Sequence, residues 1–84
     1  MLDKTSLFDT TAIESAEIYK TLCEVYSALA ERGYNPINQM VGYLISGDPG
    51  YISSYKDARS KITKFDRSKV LVAVLESFLQ EWDI

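Results

Sequence analysis

Apolar residues recur at helical spacing in this chain, and Gly33, Asn35-Pro36, Gly47 and Asp48-Pro49 cut them into short segments, which leaves little but helices to fold into. Thr11 and Glu14 form a capping box. Behind them Ile18, Leu22, Val25, Tyr26 and Leu29 keep a 3.6-residue period up to Gly33, so the spacing predicts a first helix over 12–32. Asn35-Pro36 opens a short, mostly buried second helix carrying Ile37, Met40, Val41, Tyr43, Leu44 and Ile45. Asp48-Pro49 starts a single helical turn through Tyr51 and Ile52, a corner between helices. Tyr55, Ala58, Ile62 and Phe65 mark one stripe of a long third segment, read as an amphipathic helix with Arg59, Lys61, Lys64 and Arg67 on its other faces. Ser68 is the expected cap of a last helix whose Val70, Leu71, Val72, Val74, Leu75, Phe78, Leu79 and Trp82 cover more than one face.

That last apolar face is wider than one small core needs. An 84-residue chain makes one domain, and a core of that size supplies about 3–5 kcal/mol unless something is added. Disulfides and metals are unpromising additions, because Cys23 is the single cysteine and there is no histidine. Self-association remains. The expectation is an all-α fold: a compact bundle of four to five helices over residues 12–84, homodimeric, preceded by a mobile tail at 1–11. No run alternates with period two, and no internal repeat or low-complexity tract is present.

Catalysis has little to work with. Histidine-dependent acid–base and nucleophilic arrangements are excluded by composition. Glu14, Glu17, Glu24 and Glu31 fall on solvated faces of the first helix, and the four glycines are too isolated for a phosphate loop. Cys23 beside Leu22 reads as a small core filler, with no adjacent cation to activate it. Trp82 and the six tyrosines read as core or dimer contacts before binding surface. No catalytic residue, cofactor or metal is expected.

Lone cysteine usage fits a reducing cytoplasm. Met1 to Ser6 lack the basic and apolar regions of a signal peptide, and no stretch reaches the roughly 18 apolar residues of a membrane span. The net charge is −3, yet residues 56–69 carry six cations against two carboxylates, a local charge of +4. Three readings of this segment stay open: a solvated helix face, an anion or phosphate dock made by Arg59, Lys64 and Arg67, and a helix-turn-helix-like contact with DNA. Net acidity and the lack of Asn or Gln for base edges in the third helix count against DNA.

The stretch Arg32-Gly33-Tyr34-Asn35-Pro36-Ile37-Asn38-Gln39-Met40-Val41-Gly42-Tyr43-Leu44-Ile45-Ser46-Gly47-Asp48-Pro49, followed by Tyr51-Ile52, resembles the signature of the IreB/ReoM family of small bacterial regulators. Weaker similarity runs through Leu22, Val25-Tyr26 and Ala28-Leu29 before it, and through Asp57-Ala58-Arg59, Ile62, Lys64 and Arg67 after it. The resemblance implies a cytoplasmic, helical, non-enzymatic homodimer of Gram-positive bacteria, phosphorylated on a tail threonine by a membrane-anchored Ser/Thr kinase. It further implies that the unphosphorylated form works with an adaptor protein and a Clp-type protease to degrade the enolpyruvyl transferase that commits precursors to peptidoglycan. The family's Asp-x-Thr-x-x-Phe pattern is reproduced by Asp3-Lys4-Thr5-Ser6-Leu7-Phe8, which places the phosphate on Thr5, with Ser6, Thr10 and Thr11 as lesser candidates. The chain departs from the family at Ser53-Ser54-Tyr55, where Pro-Arg-His is usual, at Lys61 and Thr63, and at Asp9-Thr10-Thr11. Within the signature, capping accounts for Asn35-Pro36 but not for Asn38 and Gln39, one of which is expected to be buried and hydrogen-bonded to backbone at a corner or subunit contact.

Overall fold

The computed structural model describes residues 12–81. It consists of α1 (Ala12–Glu31), α2 (Pro36–Ser46), a 3₁₀ turn (Pro49–Tyr51), a second 3₁₀ turn (Tyr55–Asp57), α3 (Ala58–Ile62) and α4 (Arg67–Glu81). There is no strand among the described residues. The tail, the Thr11 half of the capping box and Trp82 lie outside them.

α1 ends where Gly33 takes a left-handed φ of 82°. Tyr34 N–H donates to the Leu29 carbonyl at 3.0 Å and Gly33 N–H to Ala30 at 3.0 Å, the paired bonds of a Schellman cap. α2 begins as expected: the Asn35 side chain accepts the Asn38 N–H at 3.1 Å, and Pro36 occupies the first turn, where a missing donor costs nothing. It ends at Gly47, φ 78°, whose N–H donates to Tyr43. Asp48 then caps the 3₁₀ turn by accepting the Gly50 N–H at 2.8 Å.

Two buried clusters form the core. The larger joins Val25, Ala28 and Leu29 of α1 to Tyr43, Ile52, Ala58 and Ile62. The smaller joins Ile18 to Val70 and Ala73 of α4. Leu22 and Leu44 pack against both and make the core continuous. Tyr19 O–H, donating to the Ala73 carbonyl at 3.2 Å, and Lys69, paired with Glu14 at 3.3 Å, stitch α1 to α4.

Four expectations are corrected here. The long third helix is broken: Lys56 (φ 53°) and Asp57 (φ 60°) are both left-handed, so only the five residues of α3 are α-helical. Asp66, not Ser68, stands at the entry to α4, its carbonyl accepting from Lys69 and Val70 while Ser68 sits inside the first turn. α2 is not mostly buried; only Tyr43 is, because Ile37, Val41 and Ile45, one turn apart, form an exposed stripe. Cys23 is exposed rather than a core filler, since Leu22 and Val25 take the inward positions of α1.

Candidate docking surface

The signature stretch builds a rigid corner. Gln39 Nε2 donates to the Tyr51 carbonyl at 2.9 Å, which meets the expectation that Asn38 or Gln39 would bond backbone at a corner, although Gln39 is only half-buried and Asn38 is exposed. Ser46 Oγ donates to the Gly42 carbonyl at 2.7 Å and accepts the Asp48 N–H at 3.0 Å. A Cβ on Gly42 would stand 2.6 Å from the Tyr51 ring, so the ring packs directly against that glycine. Asn35, Gln39, Gly42, Ser46, Gly47 and Asp48 of the run therefore each have a local structural role.

The cations predicted to form one dock are divided. Arg59 Nε donates to the Ile52 carbonyl at 2.9 Å, and an Arg67 guanidinium N–H donates to the Leu44 carbonyl at 3.0 Å. Both arginines thus close exposed carbonyls of the corner, work that sequence spacing could not reveal because Arg67 and Leu44 are 23 residues apart. Lys64 lies elsewhere, in a recess with Lys20 and Lys61. Thr5, Ser6, Thr10 and Thr11 lie outside the described residues.

What the corner presents outward is apolar. Ile37, Val41 and Ile45 form an exposed stripe on α2, and Leu71, Val74, Leu75, Phe78 and Leu79 are exposed on α4. Two shallow recesses, one between α1 and α2 and one between α1 and α4, share Leu22 and Cys23 of α1. One, about 390 Å³, is completed by Tyr26, Ser27, Ile37 and Met40; the other, about 410 Å³, by Tyr19, Val74, Ser77 and Phe78. Exposed apolar residues grouped on helix faces in this way are the kind of surface that protein partners cover. α3, five residues long and with Arg59 committed to Ile52, is too short for a recognition helix in a DNA groove.

Among the described residues, no helix is long and apolar enough to cross a membrane, and no group of three or more His, Cys, Asp or Glu is placed to hold a metal. A family model for the IreB regulatory phosphoprotein matches residues 3–80. The chain belongs to the IreB family. The match spans the corner, most of the apolar helices and the Asp3–Phe8 stretch, and it gives the chain a regulatory role.

One further cluster in this IreB-family chain surrounds Tyr55. Tyr55 O–H donates to Glu31 at 2.9 Å, Lys56 pairs with the same carboxylate at 3.0 Å, and the Arg32 guanidinium lies 5.1 Å from the Tyr55 ring centre. The hydrogen bonds from Lys56 and then Tyr55 hold the Glu31 carboxyl below its ordinary value, and Glu31 in turn raises Lys56. A depressed carboxylate stabilises the fold above its unfolded pKa and loses that contribution as pH falls through the folded value; a raised lysine loses its own as pH climbs through the folded value. Both contributions are whole at neutral pH. Carboxyl NMR is expected to show Glu31 titrating below the ordinary glutamate value, and Lys56→Ala should move it upward; no movement would mean that the pair does not persist in solution.

Proposed function

We propose that this protein is a non-enzymatic brake on cell-wall synthesis, set by phosphorylation of Thr5. In this reading residues 1–11 are the regulatory tail and 12–84 a single helical domain that pairs with a second copy, in the cytoplasm of a Gram-positive bacterium. A membrane-anchored Ser/Thr kinase modifies Thr5. The unmodified form promotes, through an adaptor protein and Clp-type protease, degradation of the enolpyruvyl transferase that commits precursors to peptidoglycan, and the phosphate relieves that action.

The observation that carries this reading is the family match beginning at residue 3, which takes in Asp3-Lys4-Thr5-Ser6-Leu7-Phe8. The exposed apolar faces of α2 and α4 support the protein-binding part, because they offer a surface to partners and to a second copy. A phosphate adds about −1.5 to −2 charge near pH 7, enough to redirect a short polar segment.

Intact-protein mass spectrometry with fragmentation, on protein from its native cells with and without a wall-active antibiotic, tests the proposal. The expected result is one added phosphate on Thr5 whose fraction changes with treatment, and stabilisation of the transferase when it rises. Reproducible absence of phosphate on Thr5 would overturn it.

A further inference from the structure

Lys20 and Thr21 of α1 face Lys61, Lys64 and Phe65 at the end of α3 across an open recess of about 310 Å³. Three ammonium groups on its rim outnumber the two carboxylates, Glu17 and Glu24. Lys61 is held by Glu24 at 3.4 Å with both side chains about two-fifths exposed (37% and 41%), a surface pair that exchanges partners at little cost. Lys20 and Lys64 have no ion-pair partner among the described residues. The arginines, by contrast, already serve backbone carbonyls. The recess therefore brings together two lysines without an ion pair and a third held only by a surface pair.

We infer that Lys20, Lys61 and Lys64 form a phosphomonoester site, and that its occupant is the phosphate carried by Thr5. The inference rests on the phosphorylation proposed above. A phosphate dianion outcompetes the single negative charge of Glu24 for Lys61 and gives Lys20 and Lys64 a common partner. Reach favours the chain's own segment over a free phosphate. Thr5 precedes Ala12 by seven residues, a span of up to about 25 Å when extended, whereas Lys20 lies only about 12 Å along α1 from its start. Tethering at that distance raises the effective concentration to the millimolar range, so weak lysine contacts suffice.

The test uses the full chain synthesised with phosphothreonine at position 5, compared with the unmodified chain by amide NMR. The expected result is shifts at residues 20–21 and 61–65, with the second ionisation of the phosphate moved to lower pH than in a peptide of residues 1–11, both lost in Lys61→Gln/Lys64→Gln with helicity retained. Shifts confined to the first eleven residues, or centred on Arg59 and Arg67, would overturn the site. Recess shifts with millimolar inorganic phosphate but none from phosphothreonine would overturn the tail as occupant. Because the phosphate is built in, absence of Thr5 modification in cells would defeat the earlier proposal and leave this measurement standing.

Discussion

Gly47→Val is expected to remove about 3 kcal/mol of folding free energy. The left-handed φ of 78° costs any L residue, and a branched one most, while a Cβ there would lie 2.8 Å from the Arg67 guanidinium. Arg67 would have to move, and its hydrogen bond closes the Leu44 carbonyl at the end of α2. Gly33→Ala gives the backbone cost of an unbranched residue with no clash: Gly33 is also left-handed, but nothing lies within 4 Å of its would-be Cβ, so about 1 kcal/mol is expected. Urea unfolding followed by circular dichroism reads both. In a domain holding about 3–5 kcal/mol, the valine variant would be largely unfolded at moderate temperature. Equal losses at the two positions would show that Arg67 gives way freely and contributes nothing to the corner.

Leu71→Glu/Leu75→Glu should convert the dimer proposed here into single chains of 9.5 kDa without unfolding them. Both leucines are exposed on α4 (43% and 57%) and one turn apart, so two carboxylates would be well solvated in a lone chain and unpaired in a joint. A pairing loss of at least a thousandfold is expected, measured by light scattering at matched concentration, with helicity unchanged. A dimer that persists would place the joint on α2; a native chain that is already single would remove the second copy altogether.

How much of this could be read from sequence depended on whether the determinant was local. α1, α2 and the 3₁₀ turn were legible because Gly33, Asn35-Pro36, Gly47 and Asp48-Pro49 act on their own backbone within a few residues. The surplus apolar face of α4 was legible from counting, since Val70 and Ala73 alone satisfy the core on that helix. The broken third helix was not, because nothing in Lys56-Asp57 announces two consecutive left-handed residues; they are held where Lys56 and Tyr55 reach Glu31, 25 and 24 positions away. The split among Arg59, Lys64 and Arg67 was hidden for the same reason. A basic segment looks like one face until the tertiary fold shows which cations have carbonyls to serve.

Cys23 carries a practical corollary. It is the sole thiol of the chain, it is exposed, and it stands where the two apolar recesses meet. The protein therefore comes with its own labelling handle at the centre of its stickiest surface: an environment-sensitive dye attached there would change colour or brightness when anything settles on that face, with no residue altered to introduce it.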